Sequence, residues 1–222
     1  MNQTHIVDTH AENPNKPFAE IIQSNLDHFT AQSWQWDMFP NFGSLVEVQS
    51  GENTIFGCVT SIQTGSMDPM RSPFPYQKTE AELRAEQPQI FEFLQTTFNV
   101  QILGYEKNLQ HTTLPTHNER RFHYQIPSKP CKIHAFVKQS SQQTFSQFLQ
   151  NPDFLHLLFA FQNQINNLDE LLLAILRHLG SFGILTKCKL NDFCQRFSLL
   201  NGNDYRRLKL FLQRIKHTSV RQ

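Results

Sequence analysis

The chain has 222 residues, of which 39% are hydrophobic and 18% are charged, and its formal net charge is +1. This balance excludes a disordered polyelectrolyte and predicts a soluble globular protein with a substantial core. The longest apolar runs, 154–161 and 171–176, fall well short of the ~20 residues that a membrane-spanning helix requires. The N-terminus lacks the basic and apolar regions of a secretory signal. We therefore expect a cytoplasmic location and no membrane insertion.

Cysteine usage points to a reducing compartment. The four cysteines are Cys58, Cys131, Cys188 and Cys194, and no two of them form a C-x-x-C pair. Cys58 falls inside a predicted strand. We therefore expect free, mostly buried thiols rather than a disulfide framework.

The first third of the chain predicts a small β-barrel. Residues 1–17 are polar and read as a flexible lead-in. Four short β-type runs follow, and their even spacing is typical of a small barrel. We predict these strands at 18–24, 27–35, 44–50 and 54–64.

A helical insertion is predicted over residues 65–99. Three prolines make 65–77 a loop, and the T-x-x-E pattern of Thr79 and Glu82 is a capping box that begins a helix. Pro88 ends that helix and starts a second one. The second helix would bury a stripe formed by Ile90, Phe91, Leu94 and Phe98.

The barrel is predicted to end at residue 137, and a helical bundle to fill 138–222. Val100–Tyr105 reads as the fifth strand, 121–126 as a closing strand and Pro127–Pro130 as a stiff linker. Beyond them, Asn151-Pro152 caps a helix through Gln164, and Asn167 caps a helix with apolar period 3.6 that ends at Gly180. Two more helices are predicted at 190–199 and 204–216. The fold class is therefore α+β.

Several short motifs carry a resemblance to a known family. They are Phe42-Gly43-Ser44, Glu86–Phe91, Gly104-Tyr105 and Pro127–Pro130 leading to Ile133-His134. With the strand order, they resemble the HAS barrel, the N-terminal barrel of HerA-type DNA translocases and rotary ATP synthase subunits. In those proteins the barrel packs subunits together beside a separate ATPase domain.

The resemblance extends to stand-alone HAS-barrel proteins of cyanobacteria and plastids, which lack the ATPase. None of the eight glycines here is followed by lysine, so a G-x-x-x-x-G-K-[ST] phosphate loop is absent from the sequence. The resemblance implies a non-catalytic interaction or assembly protein, located in the cytoplasm or, if plastid-encoded, in the stroma. It would act by self-association or on a protein partner.

Charge is divided unevenly along the chain. Residues 1–100 carry four basic and twelve acidic side chains, whereas residues 101–222 carry sixteen basic and seven acidic ones. The candidate contacts for an anionic partner are Arg206, Arg207, Lys209, Arg214 and Lys216. These residues could bind nucleic acid, with helices 168–179, 190–199 and 204–216 as a helix-turn-helix. Alternatively they form a solvated helix face, or dock on the acidic half through helix 79–87.

Other side chains offer weaker hypotheses. Trp34 and Trp36 lie at strand period 2 and either form a partner-binding platform or fill the barrel core, which we favour. His111, His117, His123 and His134 with Cys131 suggest zinc, but their spacing fits no tetrahedral motif, and we favour exposed loop histidines. We predict no catalytic residues, no metal site and no cofactor.

Overall fold

The computed structural model describes residues 16–68, 70, 72–107, 122–202 and 204–215. It contains seven strands, six α-helices and several short 3-10 turns. The strands are β1 Ala19–Ser24, β2 His28–Ser33, β3 Leu45–Ser50, β4 Asn53–Ser66, β5 Leu94–Lys107, β6 Phe122–His123 and β7 Phe136–Gln139. The helices are α1 Glu80–Glu86, α2 Gln142–Phe148, α3 Leu155–Ala160, α4 Leu168–Ser181, α5 Lys187–Leu200 and α6 Tyr205–Ile215.

Six of the strands close into an antiparallel barrel. The order is β2-β1-β7-β3-β4-β5, and β5 pairs back with β2 to complete the ring. The four predicted N-terminal strands are each present within a few residues of their predicted bounds. The α+β class, with a barrel followed by helices, is thereby confirmed.

The predicted closing strand is wrong. Within the described part of 121–126, only the two residues of β6 are strand, and they pair with the outer end of β5. The sixth barrel strand is β7, which lies between β1 and β3. It is only four residues long, too short for its alternation to stand out in the sequence.

The predicted second insertion helix is also wrong. Pro88–Phe93 forms a 3-10 turn, and Leu94 already begins β5. Phe98 points into the barrel and is fully buried there. The capping box of α1 is confirmed, because the side chain of Thr79 accepts from the Glu82 backbone N–H and that of Glu82 from Thr79. The insertion therefore spans 67–93 rather than 65–99.

Apolar side chains from alternate strand positions fill the barrel interior, as a half-buried antiparallel sheet requires. They come from every strand of the ring. The buried members include Ala19, Ile21, Phe29, Ala31, Val46, Val48, Ile55, Val59, Phe98, Val100, Ile102 and Val137.

The helices share a second apolar core with the outer face of β3, β4 and β5. Phe148 of α2 lies at this junction, with its ring centroid 5.1 Å from those of Phe56, Phe122 and Tyr124. The Tyr124 hydroxyl donates to the Phe148 carbonyl at 2.6 Å. These contacts fix the start of the helical region on the barrel wall.

Helix α4 packs closely against residues 42–43, the chain segment before β3. Gly43 has φ +79°, and a Cβ built there would lie 2.7 Å from the Cβ of Ala174. The His178 ring also contacts the Phe42 carbonyl at 3.0 Å. A side chain at position 43 would therefore push α4 away from the barrel.

Helix ends differ from the prediction in detail. Asn151 and Asn167 cap as predicted. The helix after Asn151 ends at Ala160, and α4 continues through Gly180 to Ser181. Leu155, Leu158 and Phe159 of α3 are buried within the molecule, so this apolar helix needs no second chain to cover it.

Candidate interaction surfaces

Arg207 of α6 is held by the first turn of α4. Its Nη2 and Nε donate to the Asp169 carboxylate at 2.7 and 3.1 Å, and its Nη1 donates to Asn201 Oδ1 at 2.9 Å. The guanidinium also lies 5.8 Å from the ring centroid of Phe159 and 5.7 Å from that of Phe197. Such a bidentate, stacked arrangement is one that only Arg can make, and it occupies most of the side chain's donors.

Two further cations of the helical region are paired in the same way. Arg214 of α6 forms an ion pair with Glu170, and Arg196 of α5 pairs with Asp153 at 2.7 Å. Asp169 and Glu170 lie in the first turn of α4, where a carboxylate also complements the helix dipole. Three of the arginines of this region are therefore paired with its own acidic residues.

Arg206 and Lys209 are placed differently from Arg207. Both are exposed, lie three residues apart on α6, and have no ion pair within the described residues. Lys216 lies outside those residues. The predicted docking of helix 204–216 on helix 79–87 is wrong, because the partners of Arg207 and Arg214 are on α4 instead.

The apolar face of α6 is narrow. Phe211 and Ile215 are buried, and Leu208 packs against the same core. Tyr205 and Leu212 are 74% and 39% exposed. The rings of Phe211 and Phe197 stack with centroids 4.6 Å apart, so α6 is attached mainly through its middle and end.

An exposed aromatic pair lies on the outer surface of the barrel. Trp34 follows β2 and is 51% exposed, and Phe136 on β7 is 55% exposed. Their ring centroids are 5.3 Å apart in an edge-to-face arrangement. Between them, Glu20 of β1 accepts from the Trp34 indole Nε1 at 3.4 Å and contacts His134 Nδ1 at 3.0 Å. We call Trp34, Phe136, Glu20 and His134 the β1–β7 patch.

Trp36 has a different role. Its ring stacks on Phe91 with centroids 5.6 Å apart, and the Arg84 guanidinium of α1 lies 4.8 Å from the Phe91 centroid. Arg84 pairs with Glu80 at 2.8 Å and with Asp37 at 3.2 Å; the hydrogen bond to Glu80 raises the pKa of Arg84. Trp36 therefore attaches the insertion to the loop after β2.

The predicted geometry of the two tryptophans is wrong in two respects. Neither side chain belongs to the barrel core, so core filling does not explain them. They also do not share a strand face, because β2 ends at Ser33. Trp34 alone is placed to contact a partner.

The residues of the zinc hypothesis are dispersed where the structure describes them. His123 stacks on Tyr105 at 5.1 Å, and His134 contacts Glu20 in the β1–β7 patch. Burial raises the pKa of the Cys131 thiol to about 12, which disfavours the thiolate that binds zinc. His111 and His117 lie outside the described residues, which contain no group of three potential metal ligands.

The four cysteines are all free thiols, as the sequence predicts. Cys58 and Cys131 are buried, and Cys188 is exposed. Burial raises the pKa of Cys58 and Cys194 as well. Within the described residues, no helix is both long enough and apolar enough to cross a membrane.

A small cavity lies between the helices beside Phe154, Leu185 and Phe193. Its volume is about 20 Å³, which is room for about one water molecule. Lys189 borders it, and partial burial lowers the pKa of that ammonium. The cavity is too small to hold an organic substrate.

Sequence reasoning missed Phe136 and Glu20 as parts of a surface. Phe136 lies next to residue 137, the predicted end of the barrel, and was not singled out; Glu20 was included in the first predicted strand without a role. The alternation of Phe136, Val137 and Lys138 was an available signal, since Val137 is fully buried and its neighbours must face outward. The pairing of Glu20 with Phe136 could not be read from sequence because these residues are far apart along the chain.

Comparison with known proteins gives no family assignment. The chain matches no protein-family model, and no curated protein is significantly similar to it.

Proposed function

We propose that the protein is a non-catalytic interaction or assembly module that binds a protein partner through the β1–β7 patch. The single observation that carries the proposal is the exposed pair of Trp34 and Phe136, whose rings contact each other edge to face. Aromatic side chains concentrate binding energy at interfaces, because they bury a large area at a low cost in side-chain entropy.

The polar groups of the patch favour a specific contact over nonspecific adhesion. Glu20 holds the indole N–H of Trp34 and the imidazole of His134, so the Trp34 ring is oriented before a partner arrives. Orientation in advance reduces the entropy lost on binding. Exposed apolar rings with a polar surround are the usual anatomy of a recognition surface.

The resemblance to the HAS barrel supports the same class of function. In that family the barrel packs subunits together, and the sequence here carries its motif order without a phosphate loop. On this resemblance, we place the protein in a cytoplasm or a plastid stroma.

Affinity co-purification with paired variants tests the proposal. We expect wild-type protein to recover a stoichiometric protein partner and Trp34→Ala/Phe136→Ala to lose it. Tyr205→Ala is the matched control, since Tyr205 is an even more exposed aromatic and lies on α6, away from the patch. A partner recovered equally by all three proteins, or by none, would refute the role of the patch.

Nucleic-acid binding is the second candidate function. Arg206 and Lys209 support it, because they present two neighbouring cations on the outer side of α6. Each phosphate contact contributes about −0.9 to the slope of log K against log salt on duplex DNA. A site limited to these two cations would give a slope of only about −1.8.

A salt titration separates the two candidates. We expect any binding of a DNA or RNA duplex to be weak and to disappear in Arg206→Ala/Lys209→Ala. If Arg207 and Arg214 left Asp169 and Glu170 to contact phosphates as well, the slope would double to about −3.6. The absence of any retardation at low salt would remove this candidate.

A further inference from the structure

The long hairpin of β4 and β5 continues past the end of β3, and one edge of β4 has no strand partner among the described residues. Both strands have 14 residues and pair along their whole length. On its other side, β4 pairs with β3 only through Asn53–Cys58. In the described part of the chain, no strand other than β5 therefore pairs with residues 60–66 of β4.

The hydrogen-bond pattern identifies which backbone groups face outward. The Met67 N–H donates to the Phe93 carbonyl at 2.8 Å, which makes these two residues a hydrogen-bonded pair. Bonded and non-bonded pairs alternate along an antiparallel ladder. The N–H and C=O groups of Ile62, Thr64 and Ser66 therefore point away from β5.

The side chains of this edge do not prevent it from pairing with another strand. Residues 60–66 read Thr-Ser-Ile-Gln-Thr-Gly-Ser and contain neither a charge nor a proline, two of the means by which proteins protect an exposed edge. The irregularity between Val59 and Ser61 lies at the inner end of the edge. Gln63 and Thr64 are exposed to solvent.

We propose that this edge pairs with the same edge of a second copy of the chain. An antiparallel strand edge is self-complementary about a two-fold axis, because each N–H meets a C=O of the identical segment. The carbonyl of Ser66 already accepts from Gln95 Nε2 at 3.4 Å, so the pairing centres on 62–64. The backbone of Ile62 then bonds to that of Thr64 in the other copy, and the two Gln63 side chains face each other across the axis.

The neutral side chains make a second copy a suitable occupant. Self-pairing of a charged edge would place like charges opposite one another, which is destabilising. Here the facing residues are Gln63 and Gln63, whose amides can donate and accept reciprocally. Self-association would join the two β4–β5 hairpins into one continuous sheet.

Sedimentation of charge variants tests this arrangement. We expect wild-type protein to approach twice its chain mass of 26.0 kDa as concentration rises. Gln63→Lys and Gln63→Glu should each weaken the dimer about fivefold, as expected for like charges directly opposite each other, and an equal mixture of the two should restore it. Gln23→Lys is the control. The side chain of Gln23 is exposed, but its strand is already paired within the barrel sheet, where Gln23 lies opposite Thr30.

Three results would overturn the proposal. The first is a wild-type monomer at every soluble concentration. The second is a dimer that neither Gln63 variant weakens, and the third is an equal mixture of the two variants that associates no more tightly than either variant alone. Trp34→Ala should leave the dimer unchanged, so failure of this proposal is distinguishable from failure of the β1–β7 patch as a partner-binding surface.

Discussion

Replacement of Arg207 by Met should lower the free energy of unfolding, because the contacts of Arg207 lie within the protein. Met keeps most of the apolar stem but loses the ion pair with Asp169 and the contacts of the guanidinium with Phe159 and Phe197. A partly exposed ion pair contributes up to about 1 kcal/mol, and the cation–π contacts about 0.5–1 kcal/mol. We therefore expect the free energy of unfolding to fall by about 1–2 kcal/mol.

A double-mutant cycle with Asp169→Asn isolates the pair. The free energy of unfolding is measured in urea for wild type, both single variants and the double variant. We expect a coupling energy of about 1 kcal/mol that decreases with added salt, because both side chains are about 30% exposed.

Arg206→Met is the matched control on the same helix. Arg206 is exposed and has no ion pair within the described residues, so its replacement should change the free energy of unfolding by less than about 0.5 kcal/mol. A coupling energy of zero, together with equal effects at positions 206 and 207, would refute this reasoning. Arg207 would then be available for an anionic partner.

Three further predictions concern the barrel and its junction with the helices. Gly57→Ala should lower the free energy of unfolding markedly, because the new Cβ would lie 2.4 Å from Val100 Cγ1. A Cβ at Gly65 would have no atom within 4 Å, so Gly65→Ala should be nearly neutral. Thermal denaturation of the two variants distinguishes these outcomes. Phe148→Ala should lower the free energy of unfolding, measured in urea, by about 3–5 kcal/mol. A decrease of less than about 1 kcal/mol would contradict the position of Phe148 at the junction. Burial raises the pKa of Tyr124 from 10.0 to about 12, so the native state retains a proton that the unfolded chain loses. Stability should therefore decrease as pH rises from 10 to 12, with a smaller slope in Tyr124→Phe; equal slopes would contradict it.

The sequence predicts most of the barrel because its signals are local. Alternation identifies β1 to β4, and the capping box identifies α1 from four consecutive residues. The failures lie where tertiary context decides the structure. The four-residue β7 is a strand because it pairs with β1 on one side and with β3 on the other.

The prediction of a second insertion helix failed because a short apolar run fits both the helical period and a buried strand. Ile90, Phe91, Leu94 and Phe98 match a helical stripe, but the β-branched Thr96, Thr97 and Val100 favour a strand. Pairing with both β4 and β2 settles the strand conformation. The apparent helical period of the apolar residues was the weaker guide here.

The candidate surfaces were predictable only in part. Composition identifies the basic set on α6, but not which members are already paired, because Asp169 and Glu170 meet α6 only in the folded chain. Trp34 was singled out from sequence, whereas its partner Phe136 required the strand order. The open edge of β4 depends on how far β3 reaches along β4, which is fixed by the pairing of Leu45 with Cys58 and not by a local pattern.

Site-specific photo-crosslinking in cells that make the protein tests the central claim most directly. A benzophenone side chain replaces Phe136 in the β1–β7 patch, and in a second protein it replaces Tyr205 on α6. The account predicts one discrete protein adduct from position 136, its loss when Trp34→Ala is added, and no such adduct from position 205. The same adducts from both positions, or none from position 136, would contradict the claim that the β1–β7 patch binds a protein partner.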